Sequence, residues 1–369
     1  MMTHSSQQWP EWLPIRSDLS LLTPYGAPQL ESKAQLNTNE NPFPPSAALV
    51  EAIGRKAREV GESLNRYPDR DAVELRKLLA TFMSERGKSD FSSENIWAAN
   101  GSNEVIQSIF LAFGGSGALG FVPSYSMHPL IAQVTSTDWV SASRENDFSI
   151  NASKACEEIR ASKSNLIFIT TPNNPTGTSV PISDLERIAQ AAAEIGALLI
   201  IDEAYAEFSQ EDSATTLIEK YPHVVVVRTM SKAFAFAGAR VGYLVAHPKV
   251  VDAMKIVRLP YHLSAMTQAI AMVALQHRAE LLLSVDSLIT SRNKMADELG
   301  KLGLPVLPSS ANFLLFEVNS PSLVWKSLLD EGVLIRDVGL SGYLRVTIGN
   351  EAENALFISA LKKSLGGQK

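Results

Sequence analysis

The sequence is poor in the features that mark secreted, membrane-spanning and metal-binding proteins. Its 369 residues contain a single cysteine, Cys156, so no disulfide can form within the chain and a reducing compartment is indicated. The longest apolar runs, such as residues 197–201, are far too short to cross a bilayer. The six histidines have no spacing typical of metal ligands. We therefore expect a cytoplasmic protein with no bound metal.

An excess of positive charge is also missing, because the formal net charge at pH 7 is −6. This balance argues against nucleic acid or an anionic membrane as a partner. Residues 1–8 contain neither the basic segment nor the apolar core of a signal peptide. The remaining composition, 45% hydrophobic and 20% charged, is that of a globular protein, and the length suggests two domains.

Short apolar runs alternate with helical patterns over the middle of the chain. The predicted strands cover residues 96–99, 118–122, 165–170, 197–201, 224–227 and 241–246. The predicted helices begin near residue 46 and cover residues 71–86, 104–113, 125–134 and 183–194. Strands that alternate with helices in this way predict a doubly wound, mostly parallel sheet.

The pattern changes after about residue 265. A long helical region continues to Leu302, and a strand, a helix, a second strand and a terminal helix follow it. The sequence therefore predicts an α/β fold with a large sheet domain over residues 46–265 and a smaller α+β domain over residues 266–369. Residues 1–45 are predicted to form an amino-terminal arm and part of the small domain.

Lys232 is the residue around which a functional interpretation can be built. It follows the β-branched run 224–227, so we expect it just beyond the carboxyl end of a buried strand, where open α/β sheets bind ligands. Neighbouring aromatic and alanine residues would desolvate its amine, lower its pKa and make it a candidate Schiff-base nucleophile. Ser231 and Arg240 flank it with a hydroxyl and a guanidinium that suit a phosphate. Taken alone, however, the Ser231–Lys232 pair is more typical of a surface lysine at a strand end.

Three other polar stretches also follow predicted strands. Residues 100–104 open a helix whose free N–H groups favour an anion, although ordinary helix-capping residues would look the same. Residues 171–177 are typical of a turn, or of an asparagine amide presented at the sheet edge. Asp202, three residues before Tyr205, follows a buried apolar run and needs a cation there, although a metal ligand or a helix cap also fits it alone.

A glycine-rich stretch points weakly to another class of enzyme. Residues 115–120 match the Gly-x-Gly-x-x-Gly spacing of a dinucleotide-binding loop. Their context is wrong, because that loop joins a strand to a helix, whereas here a helix precedes and a strand follows. A nicotinamide-dependent oxidoreductase is therefore disfavoured. A non-catalytic regulator would need an appended DNA-binding segment, for which the short arm has no room.

Taken together and in this order, these stretches resemble the pyridoxal-phosphate-dependent aminotransferases of fold type I. The resemblance covers almost the whole chain and rests on residues 100–104, 172–177, 202–205, 231–232, Arg240 and Arg345. Within this family the chain is most similar to the histidinol-phosphate aminotransferases. That similarity is carried by Leu22–Tyr25, Leu36–Pro42, Asn65–Asp69 and Leu340–Arg345.

The resemblance implies pyridoxal 5′-phosphate as the cofactor. Lys232 would hold it as a Schiff base and move a proton, while Asp202 would pair with the ring nitrogen. Tyr205 would contact the oxygen of the ring. Tyr67 would reach the phosphate of the other subunit, which implies a homodimer with shared sites. The other cofactor-binding residues that the resemblance implies are Ser102, Asn103, Tyr125, Asn174, Ser231 and Arg240.

The resemblance also implies a reaction in histidine biosynthesis. L-histidinol phosphate and 2-oxoglutarate would be converted to imidazole-acetol phosphate and L-glutamate. Arg345 would grip the substrate carboxylate in a bidentate fork. The substrate-binding residues implied are Tyr25, Asn39, Asn103, Tyr261, Arg336 and Arg345.

Two related activities remain open as alternatives. An aromatic amino-acid aminotransferase or a phosphothreonine decarboxylase on the same scaffold would keep every cofactor residue. These residues do not select the Cα bond that breaks, because that choice depends on which bond stands perpendicular to the ring. His128 stands where many relatives carry tyrosine, so we assign no contact to it.

Overall fold

Most strands of the chain lie in one large sheet. The computed structural model describes residues 9–87 and 89–366, so residues 1–8 of the predicted arm lie outside it. In chain order the strands are β1 (Ala34–Gln35), β2 (Ile96–Ala99), β3 (Ala118–Val122), β4 (Trp139–Ser143), β5 (Leu166–Thr170), β6 (Leu198–Asp202), β7 (Val224–Thr229), β8 (Gly242–Val245), β9 (Phe313–Glu317), β10 (Val333–Leu334) and β11 (Tyr343–Thr347).

The helices within the described residues cover both faces of that sheet and one side of the carboxyl-terminal region. They are α1 (Ala47–Gly61), α2 (Val73–Gly87), α3 (Ser102–Phe113), α4 (Met127–Val134), α5 (Ala152–Ser162), α6 (Ile182–Glu194), α7 (Pro248–Val257), α8 (Ala265–Gln276), α9 (Arg278–Lys301), α10 (Pro321–Asp330) and α11 (Glu351–Gly366). No helix in the described ranges combines the length and the apolar character that a transmembrane span requires.

The large sheet has seven strands in the order β2-β8-β7-β6-β5-β3-β4. Neighbouring strands are parallel except at β8, which runs antiparallel to both β2 and β7. Successive side chains of the central strands enter different cores: Ile167 and Val226 pack on one face, and Phe168 and Val225 on the other. Such two-sided burial explains their continuous apolar runs. The predicted doubly wound, mostly parallel sheet is confirmed.

The carboxyl ends of β5, β6 and β7 meet at one edge of the sheet. The strand register pairs Thr170 with Asp202, and Asp202 with Val227. Lys232 follows the end of β7 by three residues. Parallel pairing therefore brings together side chains that are distant in the sequence, at the edge where α/β proteins bind ligands.

A second hydrophobic core lies among two small sheets and the last helices. β1 pairs in parallel with β10, and β9 pairs in antiparallel with β11. Leu36, beside β1, brings the amino-terminal segment into this core. Along α9 the side chains change cores between Leu281 and Val285, whereas α8 packs on the first core. The domain boundary at residue 265 stays a prediction.

Some elements differ from the sequence-based expectation. The long helical region after residue 265 is two helices, α8 and α9, which meet at His277. Three further elements, β4, α5 and α7, are not predicted from the sequence. β4 is an edge strand with mostly exposed side chains, so it lacks the apolar run that marks a buried strand. The buried side chains of α5 are spaced as in a helix, but three of the four are alanine or cysteine, so the apolar pattern is weak in the sequence.

A buried cluster of charges ties the segment after β6 to β7. Arg228 Nη1 donates to Glu207 Oε1 at 2.8 Å, and its Nε lies 3.1 Å from Glu203 Oε2 without hydrogen-bond geometry. Ala214 N–H and the Ser213 hydroxyl also donate to Glu203. Burial raises the pKa of Glu203 above its usual range, with Arg228 opposing that rise. The cluster is therefore stable only while its single cation balances the carboxylates.

We predict that Arg228→Met lowers the free energy of unfolding by roughly 3–5 kcal/mol, because it leaves two buried carboxylates without a cation. Arg160→Met is the matched control, since Arg160 pairs with Glu194 on the exposed surface and should contribute little. Urea unfolding followed by circular dichroism measures both variants. Equal losses in the two variants would contradict the assignment.

Candidate active site

A cavity of about 490 Å³ opens at the carboxyl edge of β5, β6 and β7. Both cores contribute to its wall, because residues of the amino-terminal segment and of β11 meet the sheet edge there. Most of the predicted site residues line it, although they come from every part of the chain. They are Tyr25, Asn39, Ser102, Asn103, Tyr125, Asn174, Asp202, Tyr205, Ser231, Lys232, Arg240, Arg336 and Arg345.

Lys232 presents a partly buried amine to this cavity. Its Nζ donates to the backbone oxygen of Thr38 at 2.8 Å. Burial, helped by repulsion from Arg345 and opposed by Glu40, lowers the pKa of Lys232 from 10.5 to about 8. The unprotonated fraction at neutral pH thereby rises by about two orders of magnitude. The amine is therefore suited to attack a carbonyl carbon, as the sequence analysis predicts.

Asp202 ends β6 with a carboxylate that is 3% exposed. Its Oδ1 accepts from the backbone N–H of Ala204 at 3.1 Å, and its Oδ2 lies 3.2 Å from Nε2 of His128. The two remaining lone pairs can still accept a proton from a ligand. A buried carboxylate without a full cationic partner favours a ligand that carries positive charge.

His128 is a site residue that the sequence analysis leaves without a contact. It is 1% exposed, packs against Phe168 and Trp139, and touches Asp202 through Nε2. It stands in the first turn of α4, three residues after Tyr125, which precedes the helix and packs edge-to-face on its ring with centroids 5.4 Å apart. That spacing is the signal that could have identified it.

The amino terminus of α3 forms a further wall of the cavity. Gly101 precedes the helix with φ of 86°, and no side chain caps the first N–H groups. A Cβ at Gly101 would lie 2.5 Å from Nη2 of Arg240, and one at Gly242 would lie 2.2 Å from the N of Ser102. The two glycines thus permit close approach of backbone and guanidinium. Together with the hydroxyl of Ser231, these donors form a cradle for an anion such as phosphate.

Arg345 lies on the side of the cavity that β11 provides. Its Nη1 donates to Oδ1 of Asn174, its Nη2 donates to the backbone oxygen of Asn37 at 2.8 Å, and its Nε has no partner in the described part of the chain. Burial lowers the pKa of Arg345 to about 10. Arg336 pairs with it through the backbone and also lines the cavity. A buried fork with a free donor suits a carboxylate or a phosphate.

Phenol groups complete the wall. The hydroxyl of Tyr205 accepts from Nδ2 of Asn39 at 2.9 Å, and that of Tyr125 donates to Oδ1 of Asn103 at 3.2 Å. Burial raises the pKa of both tyrosines, so they stay protonated at neutral pH. Tyr25 lines the cavity from the amino-terminal segment while half exposed.

Two predicted residues, Tyr67 and Tyr261, do not reach the cavity of their own chain. They stack on each other with ring centroids 4.4 Å apart and an interplanar angle of 15°. Tyr67 is 79% exposed and Tyr261 is 41% exposed. The structure therefore places them together on the surface.

A network of hydroxyl and amide groups behind the cavity is absent from the sequence analysis. Ser124 Oγ lies 2.8 Å from Oγ1 of Thr170 and donates to Oδ1 of Asn173 at 3.0 Å, and Asn173 Nδ2 donates to the backbone oxygen of Pro123. This network fixes the segment that carries Tyr125. Its members are neighbours of predicted residues in the sequence, but which neighbours turn inward depends on the backbone path.

We predict that Gly101→Ala weakens binding of a phosphate-bearing ligand by about tenfold or more, because the new methyl group displaces Arg240 and strains a positive φ. Gly238→Ala is the matched control, since Gly238 lines the same cavity and a Cβ there meets nothing within 4 Å. Equilibrium dialysis with pyridoxal 5′-phosphate measures both dissociation constants. Unchanged affinity in Gly101→Ala would refute the anion cradle.

Known proteins are similar to this chain in both sequence and fold. The family model for aminotransferase class I and II matches residues 31–361. The histidinol-phosphate aminotransferase of Mycobacterium sp. (strain JLS) is 54% identical over 94% of this chain and 93% of its own length. That of Thermobifida fusca (strain YX) is 52% identical, with 96% of each chain covered.

A solved structure gives the same result at lower sequence identity. The histidinol-phosphate aminotransferase from Sinorhizobium meliloti, in complex with pyridoxal-5′-phosphate, superposes with a TM-score of 0.86 over 99% of this chain and 100% of that one. Its identity is 23%, so this similarity establishes the fold alone. The family model and the close relatives establish the family. The chain belongs to the class I and II aminotransferases and, within them, to the histidinol-phosphate aminotransferases.

Proposed function

We propose that the chain transfers the amino group of L-histidinol phosphate to 2-oxoglutarate, giving imidazole-acetol phosphate and L-glutamate in histidine biosynthesis. The observation that carries the proposal is that one cavity holds both Lys232, with its lowered pKa, and Arg345, with its unpartnered Nε. An amine that can lose its proton and a fork that can take an anion are the two requirements of the reaction. The choice of substrate rests on the close relatives, which are histidinol-phosphate aminotransferases.

The residues present fit pyridoxal 5′-phosphate. The uncapped N–H groups of α3, Ser231 and Arg240 suit its phosphate, and the buried carboxylate of Asp202 suits a protonated ring nitrogen. Ser102 and Asn103 lie at the same helix end. When bound, the cofactor supplies an aldehyde carbon for the amino group and a ring that withdraws electrons from the reacting bonds.

Lys232 has two roles in this proposal. Its neutral amine would hold the cofactor, and its Nζ would move a proton at the Cα of the substrate. The backbone oxygen of Thr38 holds Nζ within the cavity by a bond of 2.8 Å. A pKa of about 8 lets the same group accept and release a proton near neutral pH.

The other cofactor contacts keep the reacting groups in place. Asp202 would hold the ring nitrogen, and His128 contacts its carboxylate at 3.2 Å. Tyr125 would stack on the ring, and its hydroxyl donates to Asn103. Tyr205 and Asn174 would contact the ring oxygen. Each of these side chains lines the cavity or touches one that does, so their geometry is largely set before a ligand arrives.

One pocket must accept two unlike substrates. Glutamate carries an α-carboxylate, whereas histidinol phosphate carries a phosphate in its place. Arg345 can serve both, since a guanidinium fork matches either group. Tyr25, Arg336 and Asn103 add neutral and cationic donors to the wall of the same cavity. A substrate without the phosphate would leave some of these donors unpaired, at a cost of roughly 1–3 kcal/mol for each buried group.

The proposed assembly is a homodimer with shared sites. Tyr67 and Tyr261 are stacked, exposed and outside the cavity of their own chain. In the dimer the pair enters the cavity of the partner as one unit. Tyr67 then reaches the cofactor phosphate and Tyr261 lines the substrate end. Two-fold symmetry makes the exchange reciprocal, so each cavity is completed by the other chain.

The proposed location is the cytoplasm. The lone thiol of Cys156 is buried and has no cysteine to pair with in the chain. A protein without disulfides is typical of a reducing compartment.

We predict that histidinol phosphate has the highest kcat/KM among histidinol phosphate, phenylalanine and phosphothreonine, each tested with 2-oxoglutarate. Tyr25→Phe should lower the value for histidinol phosphate by about tenfold and leave that for phenylalanine nearly unchanged, because it removes only a donor to the phosphate. Steady-state kinetics of the native protein and the variant measure both effects. A native enzyme that prefers phenylalanine would instead be an aromatic aminotransferase.

We predict that two inactive variants restore each other. In a hybrid of Lys232→Ala and Tyr67→Ala chains, one site combines both defects and the other is intact. Random exchange of subunits should therefore recover about a quarter of native activity. Mixing Lys232→Ala with Asp202→Asn is the matched control, because both residues act in their own chain and no hybrid site is intact. Recovery in neither mixture, after exchange is verified by mass, would count against shared sites.

A further inference from the structure

A buried polar chain leads from the amino-terminal segment to the hydroxyl of Tyr205. Asn39 lies at its centre, 1% exposed and with φ of 56°. Its backbone N–H donates to Oγ1 of Thr347 at 3.0 Å, and its backbone oxygen accepts from Nδ2 of Asn312 at 3.1 Å. Its Nδ2 donates to the Tyr205 hydroxyl at 2.9 Å. Asn39 is thus held by two residues of the second core while it contacts a residue of the cavity.

The direction of each hydrogen bond follows from the donors available. Oγ1 of Thr347 accepts from the backbone N–H of Asn39, and among the described residues Oδ1 of Asn39, 3.0 Å away, is the acceptor for its own proton. Oδ1 is therefore the acceptor of that amide, and Nδ2 is the atom that faces Tyr205. An amide nitrogen cannot accept a hydrogen bond. The Tyr205 hydroxyl consequently receives a proton from Asn39 and must direct its own proton elsewhere.

The surroundings of Tyr205 leave that proton to the cavity. The edge of Phe313 holds the phenol ring, with centroids 5.2 Å apart and planes at 84°. In the described part of the chain, Asn39 is the hydrogen-bond partner of the hydroxyl, and no acceptor for its proton is present. The charged and titratable groups around it are Arg345, Asp202, Tyr25, Tyr125 and Lys232, whose Nζ lies 6.0 Å from the centroid of the phenol ring. The hydroxyl is therefore a donor awaiting an acceptor in the cavity.

We propose that Asn39 is a positioning residue that makes Tyr205 an obligate hydrogen-bond donor to the ring oxygen of the bound cofactor. The inference rests on the proposed function and adds to the substrate contact proposed for Asn39. A hydroxyl that already accepts a hydrogen bond is a stronger donor, because successive bonds polarise one another. Asn39 therefore acts on the cofactor through Tyr205.

This role has a spectroscopic consequence. A donor to the ring oxygen draws negative charge from it and weakens its hold on the proton of the nitrogen that joins Lys232 to the cofactor. That nitrogen then loses its proton at lower pH. Weakening the donor must raise the pKa of the nitrogen, and visible absorption reports that pKa directly.

The test is a pH titration of the visible absorption of the holoenzyme. Asn39→Gly removes the amide and tolerates the positive φ, so it should fold. It should raise the apparent pKa by roughly one-half to one, in the same direction as Tyr205→Phe and by less. In the Tyr205→Phe background, Asn39→Gly should have no further effect. An equal rise in both backgrounds, or none in the native background, would overturn the proposal.

A second substitution tests the direction of the bond. Asn39→Asp keeps the shape but can only accept, so it would draw the Tyr205 proton away from the cavity. The effect of Asn39→Asp in the Tyr205→Phe background measures the contribution of the new charge alone. After this contribution is subtracted, Asn39→Asp should raise the apparent pKa at least as much as Asn39→Gly does. A smaller corrected rise would overturn the assigned polarity. A native protein that shows no visible absorption band after incubation with pyridoxal 5′-phosphate would instead overturn the proposed function itself, whereas a band that does not change with pH would overturn this proposal.

Discussion

The candidate active site depends on charged side chains that are buried at one edge of the sheet and do not pair with each other. Lys232, Asp202 and Arg345 all line the cavity, yet among the described residues none forms an ion pair with another of the three. Backbone carbonyls, amides and an imidazole satisfy them instead. The charges thus stay available to a ligand. The Arg228 cluster shows the opposite arrangement, since its cation is surrounded by carboxylates and supports the fold.

Residues 37–41 join the two cores at the cavity. Asn37 accepts from Arg345 with its backbone oxygen, Thr38 accepts from Lys232 in the same way, and Asn39 binds Tyr205. Asn41 continues the segment toward α9 through Ser284. One short irregular segment therefore contacts the amine, the guanidinium and the phenol of the site. A movement of either core would shift the hydrogen-bond partners of all three groups.

Much of the fold follows from local patterns. The buried runs that became β5, β6 and β7 are continuous because both faces of the sheet are covered, and this signal survives in a single sequence. β4 is not predicted because most side chains of this edge strand are exposed, so its sequence lacks a continuous apolar run. The break between α8 and α9 is not predicted because a helical pattern continues on both sides of His277, and Leu281 of α9 still packs on the same core as α8.

The sequence by itself determined which residue types stand after which strands, and hence that Lys232, Asp202 and Asn174 belong to one sheet edge. Tertiary structure decided what each side chain touches there. His128 contacts Asp202 because α4 directs its side chain inward. Tyr67 lies on the surface, where its ring stacks on that of Tyr261, and not in the cavity of its own chain. The position of each strand along the chain is encoded locally by its apolar run. The contacts of the side chains depend on distances between segments that are remote in the sequence, which no local pattern records.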